Sequence, residues 1–226
     1  MFSKRHPGRR RGFRSAALVF ILSALCVVPT WAKPKDKPGS DGEALKAQLE
    51  GKNPQERIDI LKAMVDEGTA TKDAYFHLGN ARYESGDAAG AAQAFEQAVA
   101  MDSTFFKAVV NLGLMYDEQA NFPKAIESFE QATHLEPDNP DVWSHMGNTY
   151  YAQKEYSKAT ELYRKALKLQ PDATHALYSL GVAFADAGMF REAVNYWKRV
   201  VELDKDGDLG KNARENVDLL QKYLIP

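Results

Sequence analysis

Gly79, Gly113, Gly147 and Gly181 stand 34 residues apart, and this interval governs everything between residues 72 and 205. Ala91, Ala125, Ala159 and Ala193 each follow a glycine by twelve residues. Phe95, Phe129, Tyr163 and Trp197 come four residues later, then Ala98, Ala132, Ala166 and Val200. Leu78, Leu112, Met146 and Leu180 directly precede the glycines, and Tyr75, Val109, Trp143 and Leu177 lie four residues before them. Three residues after the glycine come Tyr116, Tyr150 and Phe184, with Arg82 at this place in the first copy. Apolar residues recur at three- and four-residue spacing, which is the signature of helices and not strands. A period of this length means a stack of like units, each burying its apolar face against its neighbours. Positions without side-chain bulk let helices approach, and the aromatic column fills the space they leave.

The breaks between helices are equally regular. Gly86, with Asp87 and Asn121 in equivalent turns, ends one helix and starts the next. Pro137 and Pro171 close the second and third copies, because proline cannot continue a helix. Before the array, residues 43–50 and 54–67 read as a helix pair with Asn53 as N-cap and Pro54 at the first helical position. Leu45 holds its small-residue position, so this pair is a degenerate copy covering residues 43–71. After Asp208, the stripe Leu209, Ala213, Val217, Leu220 and Leu224 predicts a capping helix within residues 206–226.

These columns resemble the tetratricopeptide repeat, in four consecutive copies at residues 72–105, 106–139, 140–173 and 174–205. The resemblance implies an all-α fold: a right-handed superhelix, or α-solenoid, of antiparallel helix pairs with a cap at each end. It also implies that first helices line a concave groove that holds a protein partner. On that basis the groove residues are Phe76, His77, Asn80 and Glu84 in the first repeat, and Lys107, Val110, Asn111, Leu114 and Glu118 in the second. The third repeat adds Asp141, Ser144, His145, Asn148 and Tyr151; the fourth adds His175, Tyr178, Ser179, Val182 and Asp186.

The asparagines can donate to and accept from a peptide backbone. Phe76, Tyr151 and Tyr178 offer stacking surface. Acids outnumber Lys107, so a basic or neutral partner is expected. Some relatives clamp acidic chaperone tails with asparagines and basic residues. Asn80 and Asn111 match those asparagines, but Phe76, Asp141 and His145 stand where bases are required, which argues against that activity.

Charge is unevenly distributed. Residues 1–32 hold six basic residues (Lys4, Arg5, Arg9, Arg10, Arg11 and Arg14) and no acid. The remainder has 23 bases against 31 acids, a net charge of −8 that disfavours nucleic-acid binding. The basic stretch precedes an apolar run, Ala16–Val28, and then Pro29-Thr30-Trp31-Ala32, as in a secretory signal peptide cleaved after Ala32. The run is shorter than the roughly 20 residues that span a bilayer. An uncleaved membrane anchor over residues 16–31 is the alternative. Leu25 spoils a lipobox ending at Cys26, and Arg10-Arg11 fits an ordinary basic start as well as a twin-arginine signal. Residues 33–42 read as a flexible tether. The mature chain is expected to be periplasmic or secreted. It would then lack cysteine altogether, which removes thiolate chemistry and disulfides.

No nucleophile–base set, phosphate-cradling loop or zinc-protease motif is present, so neither an enzyme nor a cofactor is expected. His145 and His175 lie on successive first helices without the further ligands a metal needs. Asp204, Asp206, Asp208, Gly210, Asn212 and Glu215 follow calcium-loop spacing, but Leu209 replaces the required glycine. An acid-capped turn is the expected structure there. The functional expectation is a binding scaffold assisting assembly in the cell envelope, with self-association into a structural oligomer as the alternative.

Overall fold

A computed structural model describes residues 40–224, which belong to one compact unit, Gly39–Pro226. The expected signal segment, and most of the tether, lie outside the described residues. Eleven helices follow one another among the described residues: α1 (Ser40–Leu49), α2 (Pro54–Asp66), α3 (Lys72–Glu84), α4 (Ala88–Met101), α5 (Phe106–Glu118) and α6 (Phe122–Leu135). They continue with α7 (Pro140–Ala152), α8 (Tyr156–Leu169), α9 (Thr174–Asp186), α10 (Phe190–Leu203) and α11 (Asp208–Leu224). From α2 onward each helix packs on its neighbours in sequence, and α1 packs on α3, giving an all-α solenoid. Among the described residues no helix is long and apolar enough to cross a membrane.

The glycine and aromatic columns meet inside every repeat. A methyl group on Gly79 would lie 2.5 Å from the Phe95 ring, on Gly113 2.7 Å from Phe129, and on Gly147 2.6 Å from Tyr163. On Gly181 it would overlap the Trp197 indole. Phe95, Phe129 and Tyr163 are almost wholly buried by this contact, and Ala91, Ala125, Ala159 and Ala193 are sealed beside them. At the N-terminus α1 and α2 do not pack as the expected repeat-like pair: each lies against α3, and Leu45, Leu49, Ile58 and Leu61 are buried in one cluster with Ala74 and Leu78.

The turns show why the helices stop where they do. Within each repeat the seventh residue after the glycine is left-handed: Gly86 at φ 86, Ala120 at 55, Lys154 at 64 and Gly188 at 73. Two of the four are therefore L-residues in a region that favours glycine. Asn53 caps α2 in a capping box with Glu56, as its sequence suggests. Asp87 accepts from the Gly90 N–H at 2.8 Å, whereas the equivalent Asn121 makes no side-chain cap. Arg82, the odd member of its aromatic column, ties α3 to α4 by donating from Nη1 to the Gly90 carbonyl at 2.9 Å.

One boundary differs from expectation. Helix α1 starts at Ser40, inside the segment read as tether, because Gly42 is carried within the helix and does not end it. The calcium-like segment forms the predicted turn: the Asp204 carboxylate accepts from the Gly210 N–H at 2.9 Å, and α11 is already helical from Asp208. Asn212 and Glu215 are exposed on that helix. Ala213 and Val217 of α11 are buried against Leu177, Trp197 and Val200, so the last helix caps the fourth repeat.

Substituting Gly147→Ala should destabilise the fold by about 1–3 kcal/mol through overpacking. Pairing it with Tyr163→Leu should recover part of the loss by removing the ring that the methyl group meets. Urea denaturation of the single and double variants checks both expectations.

Candidate partner-binding groove

The inner surface is built by α3, α5, α7 and α9, the helices that carry the glycines. Two cavities open along it. One, of about 290 Å³, is lined by Asn80, Asn111, Leu114, Asp117 and Glu118 with Tyr83 and the core residues Phe95 and Met115. The other, of about 360 Å³, brings His145, Asn148, Tyr151, His175, Tyr178, Ser179 and Val182 together with Tyr163 and Leu209. Seven of the residues expected in the groove from repeats three and four thus share one cavity.

Its polar groups are held in place. The Asn148 Oδ1 accepts from the Tyr163 hydroxyl at 2.8 Å and from the Ser179 hydroxyl at 3.0 Å. With the oxygen occupied, the amide nitrogen is the part of Asn148 left to a ligand. In the other cavity Asn111 Nδ2 donates to Asn80 Oδ1 at 3.1 Å, leaving one donor group and one acceptor. The Tyr178 hydroxyl accepts from Asn216 Nδ2 at 3.2 Å, which ties the groove to the capping helix. His145 stacks on Phe129 with centroids 5.9 Å apart. Burial pulls its pKa below the ordinary 6.5; Asp141 opposes the shift and His175 adds to it. His175 Nδ1 lies 3.6 Å from Asp141 Oδ1.

Several expected residues sit elsewhere. Ser144 is buried, its hydroxyl donating to the Pro140 carbonyl at 2.9 Å, so it presents nothing to a partner. It occupies a helix face turned into the stack, and small polar residues often satisfy themselves on the preceding turn. Phe76 belongs largely to the core, packed on Phe95 and Phe105 with centroids 5.9 and 5.1 Å away. His77 is half-buried beside it, with its pKa also lowered by burial. Glu84 is paired with Arg57 of α2. Val110 packs partly on the core, and Lys107 is exposed at the start of α5. Asp186 accepts from the Tyr151 hydroxyl and faces the edge between α8 and α9.

Tyr163 and Leu209 complete the larger cavity although neither belongs to a first helix. A sequence signal existed for Tyr163: it is the hydroxyl-bearing member of a buried aromatic column, and a buried hydroxyl needs a partner. Nothing of that kind marks Leu209, whose position depends on how α11 folds back. Among the described residues no group of three or more metal-binding side chains occurs.

Residues 113–154 and 147–188 match a family described as TPR repeat, and 60–104 and 175–206 match families described as tetratricopeptide repeat. The chain belongs to the tetratricopeptide-repeat family. The protein is accordingly a protein–protein interaction scaffold, of a family that is generally non-enzymatic. Among solved structures, a crystal structure of MamA is 23% identical with a TM-score of 0.61, over 74% of this chain and 95% of that one. MamA 41-end from Desulfovibrio magneticus RS-1 is 19% identical with a TM-score of 0.63, over 75% and 98%. These likenesses are of fold. No curated protein sequence matches.

A buried neutral histidine stabilises the fold above its unfolded pKa, and that contribution is lost as pH falls through the lower folded value. His145 should therefore titrate below 6.5 in an NMR experiment. The stability of His145→Gln should fall less than that of the parent between about pH 7 and pH 5, measured by urea denaturation.

Proposed function

We infer that the protein is a non-enzymatic scaffold of the cell envelope that holds a basic or neutral segment of a partner in its concave groove and so assists assembly of a complex. The observation that carries this reading is the convergence of His145, Asn148, Tyr151, His175, Tyr178, Ser179 and Val182 on one cavity of about 360 Å³. Such a mixture of aromatic walls and a few oriented polar groups suits a side chain with its adjoining backbone. Asn148, with its oxygen held, offers donors to a backbone carbonyl. Glu118 and Asp141 are exposed around the groove and favour a base over an acid.

The envelope location rests on the segment before Lys33, with its basic start, apolar run and small-residue end. Export with cleavage gives a mature chain that begins at Lys33 and is recovered in the periplasmic or extracellular fraction. Mass determination of the purified native protein tests this, and recovery of the intact chain in the membrane fraction would instead indicate an anchor.

His175→Glu combined with Val182→Arg changes two side chains of the cavity, one exposed and one half-buried. Chemical crosslinking in the native envelope, followed by identification of the attached proteins, should show the partner lost from this variant and kept by the parent. Retention of the same partner by a folded double variant would remove the groove reading.

A further inference from the structure

A third cavity, of about 550 Å³, lies outside the concave groove, at the edge where the N-terminal half of α8 meets the C-terminal end of α9. Its walls include Tyr156, Thr160 and Arg164 from α8, and Ala183, Phe184 and Asp186 from α9. Around it Tyr156, Met189 and Phe190 remain 50%, 43% and 36% exposed, an unusual concentration of large apolar side chains in water.

The repeats themselves explain the opening. Stepping back by 34 residues from Ala187, at the cavity's rim, gives Gln153 and then Gln119. Gln119 Nε2 crosses to α4 and donates to the Ala88 carbonyl at 3.3 Å, bridging the corresponding gap between repeats one and two. Gln153, at the same register between repeats two and three, has its Nε2 buried without a hydrogen-bond partner. Ala183 has as counterparts Thr149, fully buried, and Met115, 5% exposed. At both positions the fourth repeat has alanine where the second and third carry a larger side chain; the first has Ala81 and Ser85 there. The gap that is plugged twice is left open once.

The charges at the cavity narrow what would fill it. Asp186 stands near the Tyr156 end, and Arg164 lies eight residues further along α8, a rise of about 12 Å. Both are exposed, and among the described residues neither has an ion-pair partner. An extended chain covers about 13 Å in four residues. We propose that the α8–α9 edge cavity is a second docking site, taking an extended partner segment with a basic and an acidic residue about four positions apart and large apolar side chains between them. The base meets Asp186, the acid meets Arg164, and the apolar side chains enter the space that Ala183 and Ala187 leave. This site is separate from the concave groove, so the two readings stand or fall independently.

The internal repeats supply the test. Ala183→Met with Ala187→Gln copies Met115 and Gln119, residues that the fold already accommodates at these places. The probe is a fluorescein-labelled nonapeptide, Gly-Ser-Arg-Leu-Phe-Leu-Glu-Ser-Gly, measured by fluorescence anisotropy against the mature chain. The parent should bind it, and the plugged variant should bind at least about tenfold more weakly while melting no lower than the parent. Arg164→Glu, at an exposed position, should weaken binding as well, whereas His175→Glu with Val182→Arg should leave it unchanged. A peptide with its three apolar residues replaced by Ser-Gly-Ser should not bind. Equal binding to parent and plugged protein, loss of binding in the groove variant, or no binding by the parent at about 1 mM peptide would each overturn the proposal.

Discussion

The contact between a glycine and the aromatic ring sixteen residues later is what the rest of the solenoid depends on. It brings the two helices of a repeat together face to face, closer than any pair of ordinary side chains allows. Once that distance is set, the alanine columns are sealed, the apolar residues before each glycine turn inward, and the opposite side of each first helix faces the groove. The binding surface is therefore a by-product of packing: residues that border the glycine on its unpacked side have nowhere else to go. The aromatic changes along the array, from phenylalanine to tyrosine to tryptophan, without altering this arrangement. What changes is the reach of its polar atom. Tyr163 sends a hydroxyl into the groove, and Trp197 donates from Nε1 to the Tyr178 carbonyl at 3.2 Å.

Most of the fold was legible in the sequence because packing repeats with the chain. Four glycines in register identify four helix pairs, and the stripe from Leu209 to Leu220 identifies the cap. The groove was less legible, because being on a first helix says which helix faces inward but not which side chains are already engaged. Ser144 and Asn148 both border Gly147; one satisfies itself on its own helix, and the other is held by hydroxyls from two different helices. Glu84 is taken up by Arg57, a residue 27 positions away in the degenerate pair. Such pairings depend on side-chain reach between repeats, which periodicity does not encode. The start of α1 is illegible for a simpler reason: glycine and serine favour a tether, and tertiary packing of Leu45 and Leu49 on the first repeat overrides that local preference.

The departures from the pattern are as informative as the pattern. Arg82 substitutes for an aromatic in the first repeat and replaces ring packing with a hydrogen bond to α4. Ala120 and Lys154 hold left-handed turns that glycine holds elsewhere, at some local cost. Ala183 and Ala187 leave unfilled what methionine, threonine and glutamine fill in earlier copies. A repeat protein can change one copy in this way because each interface is shared only with a neighbour.

Hydrogen bonds cross from repeat to repeat on the inner face: Asn111 to Asn80, Ser179 to Asn148, and Tyr151 to Asp186. Asn216 to Tyr178 extends the set onto the capping helix. Each spans successive units on the compressed side of the coil, so together they act as cross-braces that resist unbending. The solenoid is a spring whose stiffness resides in the same polar atoms a partner would seek. Any ligand that draws on Asn80, Asn148 or Tyr151 competes with a brace, and its occupancy would be read out mechanically as a change in curvature along the array.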